Sequence, residues 1–332
     1  MFSPMLSLSL VALVVLGPQG AKAKQQVKKP VVKPTVIGQV QMPGDNGKLE
    51  TLYSMGDAGT QLNFRLDKVS FATRAAMVED TVVADADHKL LILNFTVQNP
   101  LKSDQRLTYD NFKFTVVSPD GQNEEFDGWI YHPTLKTRLD TSLKPAQNVQ
   151  AVAVFPIHAK GPVDKLIVKR GEGKVLRYDL RGKIPALTGT YAASADVAQP
   201  EASGKVGTPF ELNELDWTVE KVESVTTPIG DYTPEEGEQL IAVTAVAKNP
   251  TMKPLGVSYN TVAPSMKDAN GETIEWTQDF VSMSSGKTLE STLKPSEQVR
   301  GRFLFKAPAA MKPTSLTLAD NNTRRSVTIA LP

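Results

Sequence analysis

One catalytic pattern in this 332-residue sequence is a serine followed three positions later by a lysine. Ser291-Thr292-Leu293-Lys294 matches the pattern of serine acylases in which a lysine amine takes the proton of the serine. Those enzymes need both side chains on the first turn of a buried helix, but Pro295 follows the lysine at once. The companion K-T-G pattern also fails, because Leu289 stands where its glycine should be. We therefore predict a turn before a strand here and no serine chemistry.

Residues that bind transition metals are few and dispersed. The chain has no cysteine, which excludes disulfides, thiol catalysis, thiolate metal sites and a lipoprotein anchor. Its three histidines, His88, His132 and His158, are far apart in sequence, and no two have the close spacing of a zinc site. We predict that they lie in loops or at rims, and we expect no cofactor.

Acidic residues gather in segments that could offer oxygen ligands to calcium. The Asp-x-Asp-x-Asp-Gly register of a calcium-binding loop is absent, and acidic loops in exported proteins also serve solvation. Calcium or small-ligand binding by these loops is kept as an alternative function. The acidic positions are Glu79, Asp80, Asp85 and Asp87; Asp120, Glu124, Glu125 and Asp127; and Glu235, Glu236 and Glu238.

A repeat at a fixed offset separates residues that a fold requires from residues that function could require. Four short motifs recur in the same order, each 150 positions later. The matched motifs are Asn99-Pro100 with Asn249-Pro250, Asp120-Gly121 with Asn270-Gly271, Leu143-Lys144-Pro145 with Leu293-Lys294-Pro295, and Phe155 with Phe305. Because turn and core residues recur when a fold is duplicated, this repeat predicts two copies of one domain.

Apolar residues within each copy alternate with a period of two, which predicts β-strands. Leu91, Leu93, Phe95 and Val97 share one face of such a strand. The same pattern occurs at Ile241, Val243, Ala245 and Ala247, at Val149, Ala151, Ala153 and Phe155, and at Val299, Gly301, Phe303 and Phe305. The opposite face carries polar residues, namely Gln150, Arg300 and Arg302. One buried face and one wet face favour an antiparallel sheet.

Further strands bring the prediction to six or seven per copy, and no long stretch has helical periodicity. They are Phe64–Phe71, Phe112–Val117, Leu166–Lys169 and Val175–Leu180, then Trp217–Val222, Val262–Lys267, Leu316–Leu318 and Val327–Leu331. Short strands joined by Asp-Gly, Asn-Gly and Lys-Pro turns are typical of a β-sandwich. The sequence therefore predicts an all-β fold of two tandem antiparallel β-sandwiches.

The order of these motifs resembles a known domain family. In each copy a strand ends in Asn-Pro, a strand leads to Asp-Gly or Asn-Gly, Leu-Lys-Pro follows, and a strand ends in phenylalanine. This order is similar to the bacterial secreted immunoglobulin-like domain of unknown function related to the mycobacterial immunoprotective extracellular antigen. The resemblance implies immunoglobulin-like sandwiches on an exported protein with no assigned enzymatic activity. It supplies no catalytic residues.

One aromatic segment does not recur in the second copy. Trp129-Ile130-Tyr131-His132-Pro133 stands where the second copy has Asp279-Phe280-Val281-Ser282-Met283, so the fold does not demand these aromatic residues. Tryptophan and tyrosine supply rigid contact area with a polar tip. We predict Trp129, Tyr131 and His132 as a partner contact. The alternative is that the two aromatic side chains pack under a loop or against the other domain.

The N-terminus has the features of an export signal. Residues 6–16 form an apolar run of 11 residues, shorter than the ~20 that a membrane-spanning helix needs. Ala21-Lys22-Ala23 offers the small residues that signal peptidase accepts, so we expect the mature chain to start at Lys24. An uncleaved anchor is the alternative.

These observations give a domain plan. We predict a signal peptide at 1–23, a Lys/Pro-rich linker at 24–47, a first immunoglobulin-like β-sandwich at 48–184, a second linker at 185–204 and a second β-sandwich at 205–332. The first linker is either a solvated spacer or a basic tether to anionic lipid or cell-wall polymer.

The predicted function is that of an exported, non-enzymatic binding or structural module at the bacterial cell envelope. A formal net charge of +1 gives no field that would attract nucleic acid, and we expect no transmembrane segment in the mature chain. The expected partner is an unidentified protein or cell-envelope polymer. Besides the calcium or small-ligand alternative, a hydrolase would require a pair of carboxylates that meet in space.

Overall fold

Strands dominate the fold, as the two-residue period predicts. The computed structural model describes residues 39–40, 46–117, 121–126, 128–172, 175–193 and 196–331. Within these residues the only helical turn is a short 3-10 turn at Tyr109–Asn111, so the predicted all-β fold is confirmed. The predicted signal peptide at 1–23 and most of the first predicted linker lie outside the described residues.

The first half of the described chain contains fifteen short strands. They are β1 (Gln39–Val40), β2 (Asn46–Gly47), β3 (Tyr53–Met55), β4 (Leu62–Ala72), β5 (Arg74–Ala76), β6 (Thr81–Val83), β7 (His88–Gln98), β8 (Gln105–Leu107), β9 (Lys113–Val117), β10 (Asn123–Phe126), β11 (Ile130–Tyr131), β12 (Thr141–Leu143), β13 (Asn148–His158), β14 (Lys165–Lys169) and β15 (Leu176–Asp179). We call the part of the chain that carries β1 to β15 the first half.

The second half contains eleven strands within the described residues. They are β16 (Glu201–Gly204), β17 (Phe210–Leu212), β18 (Leu215–Val225), β19 (Glu238–Lys248), β20 (Leu255–Val257), β21 (Ala263–Asp268), β22 (Thr273–Ser282), β23 (Ser291–Leu293), β24 (Gln298–Pro308), β25 (Pro313–Asp320) and β26 (Arg325–Ala330). Ser291 thus lies on a strand, and the S-x-x-K segment has none of the helix that serine acylases need.

Two main sheets enclose the core of the first half. One has the order β1-β3-β4-β7-β13-β11 and the other the order β10-β9-β14-β15-β2, and most neighbouring strands are antiparallel. Buried side chains from both sheets form one hydrophobic cluster, which includes Phe64, Phe95, Phe114 and Leu166. This arrangement of two facing sheets is a β-sandwich.

The second half joins the corresponding strands into one continuous sheet. Its order is β16-β26-β25-β21-β22-β24-β19-β18-β17. The sheet is continuous because β22 pairs with β21 at Ile274 and with β24 from Glu275 to Ser282. In the first half the equivalent stretch is divided, since β10 pairs only with β9 and β11 pairs with β13.

Buried asparagines hold the turns that the sequence repeat marks. The Asn99 side-chain amide donates to the Leu143 carbonyl at 2.8 Å and to a second carbonyl in its own loop. Asn249 donates to the Leu293 carbonyl at 2.9 Å in the same way. Both asparagines are fully buried, so their hydrogen bonds satisfy backbone groups that water cannot reach.

The inner face of the central strands is buried as predicted, but the opposite face is not wet along its whole length. Leu91, Leu93, Phe95 and Val97 are fully buried in the first half, as are their counterparts in β19. On the outer face, a second apolar layer covers one end of each sheet. This layer contains Leu90, Tyr131, Val152 and Val154 beside Met77 and Ala84, and Ala242, Val281 and Leu304 beside Val225, Ile229 and Tyr232.

The prediction of one wet face was therefore wrong at that end of the sheet. The physical reason is that segments outside the main sheets fold over apolar side chains that point outward. In the first half the covering segment is the β5–β6 hairpin, and in the second half it is the stretch that follows β18. Polar residues such as Gln150 and Arg300 occupy the uncovered end.

Both segments predicted as linkers end in strands. β2 pairs in parallel with β15, and β16 pairs in parallel with β26, so the last residues of 24–47 and of 185–204 belong to sheets. The last residue of each strand is a glycine, since a Cβ on Gly47 would lie 2.8 Å from the Tyr178 side chain and a Cβ on Gly204 would lie 2.8 Å from the Val327 side chain. Glycine is typical of a linker, but these two glycines let the strands pack closely against neighbouring side chains.

The two halves meet through a buried arginine, and their described residues belong to one compact unit. Arg325, at the start of β26, is 1% exposed. Its guanidinium donates to the carbonyls of Ala84 (3.1 Å), Asp85 (2.9 Å) and His88 (2.7 Å), all in the first half. It also lies over the Tyr191 ring, with its Cζ 4.5 Å from the ring centroid.

Ionic and polar contacts surround this arginine. Arg74 pairs with Asp216 at 2.6 Å, and the Thr73 hydroxyl donates to Glu211 at 2.8 Å. Lys89 is fully buried and donates to the Gly161 carbonyl at 2.7 Å. Thr73 and Arg74 lie in the first half and Glu211 and Asp216 in the second, so the first two of these contacts fix the halves against each other.

Candidate functional site

The three predicted contact residues lie on one hairpin, residues 129–139, at the edge of the six-stranded sheet. β11 pairs with β13 through Ile130 and Tyr131. The chain then turns back, and Arg138 forms a bridge opposite Tyr131. Leu139 donates its N–H to the Ile130 carbonyl at 2.8 Å. Ile130 and Leu139 point into the core, so they anchor the hairpin while neighbouring side chains remain available.

Trp129 lies at the surface, between an aromatic ring and a cation. Its side chain is 38% exposed, and its ring centroid is 4.6 Å from that of Tyr109, which is 42% exposed. The Arg138 Cζ lies 4.4 Å from the centre of the Trp129 ring. A guanidinium over an indole face is a favourable cation–π contact, and the Tyr109 ring is tilted by 54° to the indole, so the three side chains form one contiguous unit.

Acidic residues from a neighbouring hairpin hold Arg138 in place. Its guanidinium pairs with Asp80 at 3.0 Å and lies 3.9 Å from Glu79. The Arg138 backbone N–H also donates to the Glu79 carboxylate at 3.2 Å. These acidic residues follow β5, so two hairpins together position the cation over Trp129. Exposed ion pairs add little stability, and their role here is orientation.

Tyr131 has a different environment from Trp129. It is 5% exposed and packs in the outer apolar layer with Leu90, Val152 and Val154. Burial raises the pKa of its phenol. Alternation along the strand places Ile130 in the core and Tyr131 in the outer layer, so Tyr131 supports the hairpin from beneath.

His132 shapes the turn of the hairpin. Its Nδ1 accepts the backbone N–H groups of Thr134 and Leu135, both at 3.2 Å. In the second half Ser282 caps the matching turn, because its hydroxyl accepts the Ser284 N–H at 3.3 Å. The His132 imidazole thus accepts backbone N–H groups of the turn, as the Ser282 hydroxyl does in the second half. The side chain also borders an open polar groove lined by Arg65, Thr96, Asn148, Val149 and Gln150.

Exposed apolar side chains concentrate around this unit. Within the described residues, six large hydrophobic side chains are exposed, and Val78, Tyr109, Trp129 and Leu135 lie on this part of the surface. The Val78 N–H donates to the Lys136 carbonyl at 2.9 Å, so the two hairpins adjoin. We call Val78, Tyr109, Trp129, Leu135 and Arg138 the aromatic patch. Contiguous exposed apolar groups mark interaction surfaces more often than isolated ones do.

Sequence reasoning missed most of the aromatic patch. Tyr109 is matched by Tyr259 at the repeat offset, so the repeat assigns it to the fold. Arg138 is replaced by Thr288 at that offset, and this difference is a signal that could have identified it. Leu135 has no local signal, because a single leucine in a turn is common.

A groove adjoins the aromatic patch where the chain passes from one sheet to the other. The groove has a volume of about 240 Å³. It is lined by Tyr109, Asp110, Phe112, Lys113, Glu125, Phe126 and Gly128. We call it the side groove. It combines aromatic rings with carboxylates and one ammonium group.

Several of the acidic residues considered for calcium are engaged with cations or backbone. Asp85 pairs with the His88 ring at 2.6 Å, and Asp87 pairs with Arg324. Burial alone raises the pKa of Asp85, but the hydrogen bond to His88 and the charge of Arg324 outweigh it, so this pKa lies below its usual value. Over the described ranges, no group of three or more His, Asp or Glu side chains is arranged to hold a metal ion. Asp120 and Asp127 lie outside those ranges.

Two of the histidines meet, although they are far apart in sequence. His88 and His158 face each other across the β7–β13 pair, with parallel rings and centroids 6.0 Å apart. His158 lies 3.5 Å from Glu124, and both rings are partly exposed. They lie at the rim of the sheet, as predicted, and His132 lies elsewhere.

Comparisons with known proteins give a structural likeness alone. No protein-family model matches the sequence, and no curated protein matches it. An uncharacterized β-sandwich protein from Clostridium difficile 630 is 14% identical with a TM-score of 0.31, covering 40% of this chain and 96% of that one. The secreted protein MPT63 from Mycobacterium tuberculosis is 18% identical with a TM-score of 0.31, covering 40% of this chain and 98% of that one.

A putative lipoprotein from Bacillus subtilis is 17% identical with a TM-score of 0.28, covering 37% of this chain and 38% of that one. At these identities and TM-scores the likeness transfers no function. In the described part of the chain, no helix has the length and apolar character to span a bilayer.

Proposed function

We propose that this chain is an exported, non-catalytic module that binds a partner at the bacterial cell envelope through the aromatic patch. The observation that carries the proposal is the cluster of Tyr109, Trp129 and Arg138 at the surface. Tryptophan, tyrosine and arginine are enriched among the residues that dominate the energetics of protein contact surfaces, and the two aromatic side chains bring large area with few rotamers to fix. The patch is therefore built for contact.

The arrangement of the patch favours tight binding. Arg138 is already oriented by Asp80 and Glu79, so little side-chain entropy remains to be lost when a partner docks. Leu135, which is 61% exposed, extends the apolar surface at the tip of the hairpin. The hairpin itself is fixed to the core by Ile130, so the contact surface is rigid.

We also propose that the module consists of two tandem immunoglobulin-like sandwiches. Support comes from matching registers, because Leu91 pairs with Phe155 and Ile241 pairs with Phe305, each displaced by 150 positions. The buried asparagines of the two Asn-Pro turns make the same hydrogen bonds in both halves. Export is supported by the apolar run at residues 6–16 and by the small residues Ala21 and Ala23 that follow it.

The test is a crosslinked capture of partners from envelope fractions with the protein and two variants. Trp129→Ala removes the centre of the patch without touching the core. Met252→Ala is the matched control, since Met252 is an exposed apolar side chain in the second half. We expect one partner that the protein and the Met252 variant retain and the Trp129 variant loses. Capture that is equal for all three proteins would refute the patch as the contact surface.

A further inference from the structure

The side groove contains polar groups that have no protein partner among the described residues. Lys113 and Glu125 project from β9 and β10, and both are exposed. Neither the Lys113 ammonium nor the Glu125 carboxylate makes a hydrogen bond or ion pair within the described part of the chain. Asp110 differs, because it already accepts the Thr108 hydroxyl.

The groove lies beside the end of β10 and the start of β11, which belong to different sheets in the first half. Gly128 and Trp129 directly precede β11. A Cβ on Gly128 would lie 2.8 Å from the Phe126 ring, so only glycine lets the chain pass that close. In the second half β22 continues across the same corner and pairs with both neighbours.

We propose that the side groove binds a short oligosaccharide made of pyranose rings with equatorial hydroxyls. This inference rests on the proposed function, because the side groove adjoins the aromatic patch and shares Tyr109 with it. Such rings present flat C–H faces, which stack on aromatic side chains such as Tyr109 in the lining of the groove. Their hydroxyls both donate and accept hydrogen bonds, so Glu125 accepts from one hydroxyl while Lys113 donates to another.

The charge balance of the groove favours a neutral polyhydroxylated ligand. The lining has two carboxylates, Asp110 and Glu125, and one ammonium group, Lys113, so charges of both signs face the ligand. A hydroxyl-rich ligand satisfies all of these groups without adding charge. Charge-assisted hydrogen bonds to hydroxyls are stronger than neutral ones, which gives the few polar groups their selectivity.

The edge of β10 argues against an extended peptide as the occupant. A peptide that adds to a sheet edge needs a free ladder of backbone groups. β10 has only four residues, two of which are Glu124 and Glu125, and charged side chains on a short edge strand oppose strand addition. The ligand that fits the side groove therefore uses side-chain groups.

The experiment is calorimetric titration of the purified protein with two probes, the tetrasaccharides of β-1,4-linked N-acetylglucosamine and β-1,4-linked glucose. The variants are Glu125→Gln, Lys113→Met and Tyr109→Ala. Glu275→Gln is the matched control, because Glu275 is exposed and stands 150 positions after Glu125 in the uninterrupted strand β22. Circular dichroism and the unfolding midpoint confirm that each variant is folded.

We expect saturable binding of at least one tetrasaccharide. Glu125→Gln and Tyr109→Ala each weaken it about tenfold, since each removes one charged hydrogen bond or one stacked ring. Lys113→Met weakens it as well, and Glu275→Gln leaves it unchanged.

Two outcomes would overturn the inference. One is no saturation by either probe up to about 10 mM, beyond the millimolar range of weak contacts. The other is binding that the Glu125 and Lys113 variants leave intact. If either outcome occurs while the protein still captures a partner that the Trp129→Ala variant loses, the proposed function stands and the oligosaccharide inference fails. If neither ligand nor partner is found, both fail.

Discussion

Two hairpins at matching places, 129–139 and 279–289, make the same kinds of backbone pairing but differ in the side chains that they expose. Both pair with the following long strand, and both bridge back on themselves, through Tyr131 with Arg138 and through Val281 with Thr288. In the first half an exposed tryptophan lies under a guanidinium. In the second half Asp279 occupies the place of the tryptophan, and it is buried.

The second hairpin uses its polar residues for internal contacts. The Asp279 carboxylate accepts the hydroxyls of Tyr232 at 2.9 Å and Thr288 at 2.7 Å. Burial and this hydrogen bond raise the pKa of Tyr232. Core residues at 130 and 280 fix both hairpins, while the flanking positions vary. The difference teaches that the exposed aromatic patch of the first half is not a requirement of the fold.

The first prediction concerns Arg325, a residue of the second half that donates hydrogen bonds to carbonyls of the first half. Arg325→Met removes the donor from at least three buried carbonyls, so we expect a loss of about 4 kcal/mol in the free energy of unfolding. Urea denaturation, followed by tryptophan fluorescence, measures it. The adjacent Arg324→Met is the control, because that side chain is 58% exposed and pairs at the surface, where we expect less than about 1 kcal/mol. Equal losses would contradict the buried role of Arg325.

The second prediction concerns a contact that the two halves have in common. Asn99→Ala and Asn249→Ala each remove the side-chain donor to one buried and one half-buried carbonyl and the acceptor of one backbone N–H. We expect losses of about 3 kcal/mol in each case. Similar values in denaturant unfolding would support a duplicated architecture. A large loss at one asparagine and none at the other would break the match between the halves.

The third prediction concerns a compensating pair in the two cores. Phe280 lies against Gly301, where a Cβ would come within 2.5 Å of the ring, and the matching positions hold Ile130 and Ala151. Gly301→Ala overpacks the core and should cost about 2 kcal/mol. Adding Phe280→Ile should recover part of that loss, because it restores the pair found in the first half. An unchanged or greater loss in the double variant would show that the two cores are packed differently.

The fourth and smallest prediction concerns pH. Burial raises the pKa of Glu211, and Arg74 and the Thr73 hydroxyl only partly oppose this shift. In the first half Ser54 holds the matching place, because Ser54 pairs from β3 to β4 as Glu211 pairs from β17 to β18. A raised pKa in the folded state means that the group stabilises the fold below its ordinary pKa and loses this contribution as pH rises through the raised value. We expect the free energy of unfolding of the protein, relative to Glu211→Gln, to fall as pH rises from 4 toward neutrality. Urea unfolding across that range measures it, and a difference that grows with pH would contradict the buried environment.

The repeat and the two-residue period were sufficient to predict the all-β fold and the faces of the central strands. The faces of β7 and β19 could be assigned because Leu91, Phe95 and their counterparts alternate with period two, which is a local property of a strand. The outer apolar layer could not be predicted in this way. Residues such as Leu90 look the same in sequence whether they are covered or exposed, since the covering hairpin comes from elsewhere in the chain.

The candidate site was predicted in part. Trp129 stood out because the second half has aspartate at its place, and the structure puts this residue at the surface. Tyr131 belongs to the same segment, but the alternation of side chains along the strand places it in the buried outer apolar layer. Tyr109 and Arg138 joined the site only through folding, because neither lies within the segment that drew attention.

The amino-acid sequence by itself determined the strands, the asparagine turns and the aromatic segment, because each depends on neighbours a few positions away. The tertiary structure decided which side chains meet. Arg324 and Arg325 are identical and adjacent, yet one lies at the surface and the other is buried among carbonyls of the first half. Such contacts join groups more than two hundred positions apart, and their burial depends on how two separate cores close against each other.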